Sequence, residues 1–131
     1  MTQKGRSIGA VLAGFVAVFV LSLGTDEVLH MLGVYPPWGQ RMSDGLFALA
    51  TAYRIVYTVL GGFITARLAP RAPLRHALIL GIVGLGFGAV GVGVAVARPD
   101  LGPLWYSMAI ALTAIPGSWL GGTLYGARAH S

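Results

Sequence analysis

The sequence predicts an all-α integral membrane protein, an antiparallel four-helix bundle with both termini on the cytoplasmic side. Three observations lead there. Only 10% of the 131 residues are charged while 56% are hydrophobic, against about 25% charged residues in an ordinary soluble domain. Mean hydropathy is +0.76, and a chain this short has too much surface for nine basic and four acidic side chains to coat. The apolar residues also gather in four runs, each near the roughly 20 residues that carry a helix across a bilayer at about 1.5 Å per residue. This composition argues against a soluble enzyme, a disordered chain or a nucleic-acid-binding tail.

The elements follow in order, in one transmembrane domain over 1–131. The first run is uncharged from Ile8 to Leu23 and is expected to continue, giving a span over 8–32. Gly33-Val34-Tyr35-Pro36-Pro37-Trp38-Gly39 then ends the helix. The second span, 45–67, is broken only by Arg54. Pro70 and Pro73 separate it from the third, 76–97, and Arg98-Pro99-Asp100-Leu101-Gly102-Pro103 separates that from the fourth, 104–127. Short links make consecutive helices antiparallel neighbours. No run shows the sustained alternation of a β-barrel strand. Lys4, Arg6 and Ser22-Leu23-Gly24 also suit a cleavable signal peptide. The apolar run is slightly long for an h-region of about 7–15 residues, so an uncleaved helix is expected.

Charge sets the expected orientation. With a cytoplasmic N-terminus, Lys4, Arg6, Arg67, Arg71, Arg75 and Arg128 fall inside, against Arg41 and Arg98 outside. The acids Asp26, Glu27, Asp44 and Asp100 collect toward the outer side. The net charge of +5 therefore reads as a topology signal, with membrane lipid and not nucleic acid as the partner. The bacterial inner (plasma) membrane is the expected location, and the preference for Arg over Lys, with abundant Ala and Gly, fits a GC-rich genome. The chain has no Cys, which excludes disulfides, thiolate metal sites and Cys nucleophiles. It also has no Asn, hence no N-glycosylation sequon.

One stretch carries potential chemistry. Thr25-Asp26-Glu27-Val28-Leu29-His30 closes the first helix, with Asp26 and Glu27 four and three residues before His30 and able to share a side with it. About 18 residues separate Ile8 from Asp26, roughly 27 Å of rise, which leaves the acids just below the outer boundary. Arg54 enters from the same side and lies roughly 13 Å deep. Its side chain can snorkel outward, and its planar fork suits a carboxylate in a low-dielectric site. An Arg54–carboxylate pair between helices one and two is expected, either as a register-fixing ion pair or as a functional intramembrane polar cluster of Asp26, Glu27, His30 and Arg54.

Other patterns carry a structural and a sharper reading. Thr51, Arg54, Thr58, Gly61 and Thr65 lie on one face of helix two, beside Tyr53 and Tyr57. They form a helix seam, or a polar half-channel toward the cytoplasm. Gly84/Gly88, Gly117/Gly121 and Gly122/Gly126 are small-xxx-small pairs that allow close helix packing. They exceed the needs of one hairpin, so oligomerisation or docking onto another membrane protein is expected. Gly86-Phe87-Gly88-Ala89-Val90-Gly91 matches a dinucleotide fingerprint in form only, because it lies inside an apolar span. Pro116-Gly117 predicts a kink or a hinge. Tyr35 to Arg41, with Trp105 and Tyr106, reads as an interfacial belt or a cap over the acids, and Trp119 and Tyr125 serve the inner side. Leu60-Gly61-Gly62 recurs as Leu120-Gly121-Gly122, and Pro-x-Trp at 36–38 recurs at 103–105. These echoes suit two tandem hairpins or a merely Gly-, Leu- and Pro-rich composition. Glu27-x-x-His30 matches half of a di-metal carboxylate motif, but the sequence has no second Glu. Neither a metal nor another cofactor is expected.

Thr25-Asp26-Glu27-x-x-His30, followed by Val34-Tyr35-Pro36-Pro37-Trp38-Gly39-Gln40 and Ala52-Tyr53-Arg54, resembles a group of small bacterial multi-pass membrane proteins. The resemblance covers mainly the first half and implies membrane insertion without an activity. The four-helix size is also similar to that of small multidrug transporters. Those place an essential Glu in mid-helix one, where this chain has Val, Ala and Phe. With no Cys and only one Glu, no enzyme is expected. The expected role is association, as a homo-oligomer or an accessory subunit of a larger membrane complex. A small transporter or channel for a cation or proton is the alternative, with a pH response through His30.

Overall fold

A computed structural model describes residues 3–35, 43–98 and 103–129, the side chains of residues 3, 128 and 129 excepted. It contains four helices packed on one another: α1 (Gln3–Met31), α2 (Asp44–Leu68), α3 (Pro73–Ala97) and α4 (Leu104–Ala129). Among the described residues there is no strand. The first helix begins at Gln3, five residues before the expected start, because nothing between Gln3 and Ile8 breaks a helix. The expected loop residues 36–41, Asp100 and the first Pro-x-Trp lie outside the described residues, as does the side chain of Arg128.

Local chemistry sets the ends. Gly33 adopts φ 78°, and the Val34 and Tyr35 amides turn back to donate to Leu29 O at 3.0 and 3.2 Å. A left-handed residue after the last turn lets orphan carbonyls find donors, and glycine takes that conformation without a Cβ clash. Ser43 caps α2 by accepting from the Leu46 amide, with Asp44 in the first turn. Ala72 precedes α3 at φ 50°, a conformation that costs a non-glycine residue about 1–2 kcal/mol. Pro73 at the N-terminus of α3 disfavours a right-handed helical residue immediately before it. α4 runs unbroken through Pro116.

The helices run up, down, up and down. α4 packs against both α3 and α2, α1 packs against α2, and α1 touches α3 only lightly. Small residues make the close approaches possible. A Cβ on Gly88 would fall 2.7 Å from Ala111 Cα, and one on Gly81 would fall 2.8 Å from Ile115 Cα. Gly62 faces the Ser118 backbone, and Gly121 faces Val59 O and Phe63 N. The echoed Leu-Gly-Gly segments thus lie along one parallel seam between α2 and α4. The expected small-residue faces at Gly84, Gly88, Gly117 and Gly121 are filled inside the chain, by Ala114, Ala111, Thr58 and the α2 backbone. Gly126 meets nothing within 4 Å.

The resulting interior is small and partly polar, and the exterior is large and apolar. Ala10, Ala50, Ala66, Ala77, Ala111 and Ala114 are buried, and Thr65 and Ser118 are the largest fully buried side chains. Phe87, Val90, Leu112 and Val56 are all more than 60% exposed. In water this distribution would expose apolar surface at about 25 cal/mol per Å²; in lipid it carries no such penalty. Three helices are long and apolar enough to cross a membrane: Lys4–Met31, Asp44–Leu68 and Pro73–Ala97. The chain is a small membrane protein on this basis. α4, expected as a fourth span, has the length, but its run is diluted by Trp105, Tyr106, Pro116, Gly117, Ser118 and Trp119.

Candidate functional site

The strongest polar constellation lies between α1 and α2, one turn before α1 ends. Arg54 Nη2 donates to Asp26 Oδ2, and Tyr53 OH donates to Asp26 Oδ1. Both carboxylate oxygens are therefore engaged, and the two side chains of the ion pair are only 19% and 15% exposed. Tyr35 OH lies 2.8 Å from Tyr53 OH. Because the Tyr53 proton goes to Asp26, Tyr35 is the donor in that contact. The chain Tyr35 to Tyr53 to Asp26 exists because Gly33 folds Tyr35 back over the end of α1.

Two tyrosine rings neighbour the guanidinium. Its carbon lies 5.1 Å from the Tyr53 ring centre and 5.8 Å from that of Tyr106, within the range of cation–π attraction. Phe47 packs on Tyr106 with ring centres 4.9 Å apart. Arg54 Nη1 also reaches Ala50 O at 3.4 Å. Next to Asp26 in α1, Thr25 Oγ1 donates to Leu21 O at 2.7 Å and accepts from Tyr57 OH at 2.6 Å. Burial holds the Tyr35 phenol above its ordinary pKa, reinforced by the Asp26 charge and opposed by the Tyr53 hydrogen bond and Arg54.

The other sequence candidates fall elsewhere. Glu27 is exposed and makes no ion pair with Arg54, because α1 turns it about 100° away from Asp26. His30 stands edge-on to Tyr35, ring centres 5.3 Å apart. Thr51 and Thr58 donate to Phe47 O and Arg54 O in their own helix, at 2.9 and 2.8 Å. Thr65 crosses to Ala10 O at 3.0 Å. Their hydroxyl protons are thus committed to backbone carbonyls. Among the described residues no three His, Asp or Glu side chains gather as a metal set.

One pairing was not visible in sequence. His76, buried near the start of α3, places Nδ1 3.0 Å from Ala72 O and Nε2 2.8 Å from Ser7 Oγ. A carbonyl only accepts, so Nδ1 carries the proton and Ser7 donates to Nε2. A Ser does therefore lie beside a His, 69 positions apart in the chain. The imidazole is oriented by a backbone carbonyl in place of the carboxylate of a hydrolytic triad. Only the turn of α3 onto α1 could reveal this contact.

No family model, curated protein or solved structure matches the chain.

Proposed function

We propose that this is a four-span protein of the bacterial inner membrane, with both termini cytoplasmic, that acts by helix association and performs no catalysis. It works as a homo-oligomer or as an accessory subunit of a larger membrane complex. The observation carrying this reading is the engagement of the Asp26 carboxylate and of the hydroxyls along α2 within the chain. Both Asp26 oxygens are taken by Arg54 and Tyr53, Tyr35 bonds Tyr53, and Thr51, Thr58 and Thr65 spend their protons on backbone carbonyls. A cation or proton path along α2 needs groups free to bind and release, and this stripe has committed them. Broad apolar surfaces remain outside, on α1 at Val16, Phe19, Val20 and Leu23 and on α3 at Ile82, Phe87 and Val90. The Asp26–Arg54 pair then fixes the register of α1 on α2 in the low-dielectric interior.

Purification from the native membrane in mild detergent, with mass measurement of the intact particle, tests this. A homo-oligomer or a stable complex with other membrane subunits is expected. A monomer that conducts cations or protons after reconstitution, with flux altered by Arg54→Ala, would replace association with transport.

A further inference from the structure

A cavity of about 440 Å³ opens between α1, α3 and α4. It exists because α1 meets α3 closely only in its first half, while its second half stays paired with α2. In the first half Ser7 meets His76, and Gly14 lies against Thr65 and Leu80. Beyond Gly14 the helix parts from α3, and Phe15 bridges to Phe87 with ring centres 5.1 Å apart. The walls are mainly apolar, with Phe19, Phe87 and Ile110 among them. Three polar side chains break that pattern on the α1–α2 side: Ser22, Arg54 and Thr58, the last already bonded to Arg54 O.

Ser22 is the informative residue. It is 7% exposed, and its Oγ has no hydrogen-bond partner. A hydroxyl in an apolar helix ordinarily donates to the carbonyl four residues back. Thr25, Thr51, Thr58, Thr113 and Thr123 all do so in this chain. Ser22 does not, although Val18 O is the corresponding acceptor. A buried polar atom without a partner is costly, and native proteins rarely leave one. Arg54 adds donors at the same wall, since its fork carries five N–H groups and, among the described residues, Asp26 and Ala50 accept from it.

We infer that this cavity binds a membrane-dissolved lipid with a neutral carbonyl head, accepting from Ser22 Oγ and Arg54, and an apolar body against Phe15, Phe19 and Phe87. A neutral acceptor fits because Asp26 already balances the Arg54 charge. An anionic head would compete with Asp26 for the guanidinium. Two sources of such chemistry, an isoprenoid-type quinone and an acyl ester, would enter sideways from the bilayer between α1 and α3. The site does not depend on the direction of insertion.

Titration of the intact protein in dodecyl maltoside, followed by native mass spectrometry, tests it with decylubiquinone, monoolein and oleate as probes. One of the two carbonyl compounds is expected to bind, and which one identifies the source. Ser22→Ala removes one hydrogen bond and weakens that binding by about three- to tenfold. The ligand-free Ser22→Ala protein melts no lower than the native one, because the variant deletes an unsatisfied hydroxyl. Leu23→Trp, at a half-exposed position on the cavity wall, blocks entry while leaving the fold intact. Equal binding to native and Ser22→Ala protein overturns the proposal. So does binding of neither carbonyl compound, or of oleate alone.

Discussion

Arg54 in α2 donates to Asp26 in α1, while Glu27, the next residue along, points away from both. One of two adjacent acids thus holds the helix pair together. Removing either partner leaves the other charged and desolvated, at a cost of about 3–5 kcal/mol. Arg54→Ala and Asp26→Ala should each strongly destabilise the protein in detergent. The double variant should lose much less than their sum, the mark of direct coupling in a double-mutant cycle. Additive losses would place the two side chains in independent roles.

Glu27→Gln should change stability by less than about 0.5 kcal/mol, as expected for an exposed position away from any buried network. Thermal melts of Glu27→Gln beside Asp26→Asn check this, with only the second lowering the midpoint by several degrees.

The Tyr35 phenol predicts an alkaline limb in stability. Its pKa is raised in the folded chain, chiefly by burial, so the unfolded chain loses this proton first as pH rises. The contribution is complete below about pH 10, the ordinary value, and is lost as pH climbs through the raised native value. Melting temperature followed from pH 8 to 11 should fall more steeply for the native protein than for Tyr35→Phe. Parallel curves would show that Tyr35 ionises as freely in the folded chain as in the unfolded one.

Glycines divide by what surrounds them. A Cβ on Gly62 would meet Ser118 Cα at 2.8 Å, whereas one on Gly86 meets nothing within 4 Å. Gly62→Ala should force α2 and α4 apart and cost about 1–3 kcal/mol. Gly86→Ala should be neutral or stabilising by up to about 1 kcal/mol, since alanine is the better helix former. Cross-linking yield between α2 and α4 reports the first effect directly.

Ser7→Ala should loosen the other end of α1, because His76 Nε2 then loses its donor. Hydrogen exchange should rise over residues 4–12 with little change near Asp26, where a separate set of bonds holds the helix.

The positions of the helices were largely legible, because apolar runs and Pro- or Gly-rich breaks are local properties. The side-chain partnerships were legible only in part. Arg54 and Asp26 could be matched by depth along two antiparallel helices. Depth alone could not separate Asp26 from Glu27, since they differ by one residue of rise but by about 100° of rotation. In sequence, Tyr53 and Tyr35 read as a stripe neighbour and an interfacial aromatic. Their joint hold on Asp26 depends on the left-handed Gly33 and the turn after it. In sequence, Ser22 reads only as a small residue suited to a cleavage site.

By itself the sequence determined the helical class and the environment, because charge scarcity and run length need no partner to be read. It also supplied the small residues that let helices approach. The tertiary structure decided how they are used. The glycines are consumed within one chain, Ser7 is joined to His76, and α1 diverges from α3 to leave a cavity with an unpaired hydroxyl. Those outcomes depend on helix rotation and crossing, set by the packing of many side chains at once, which no single stretch of sequence encodes.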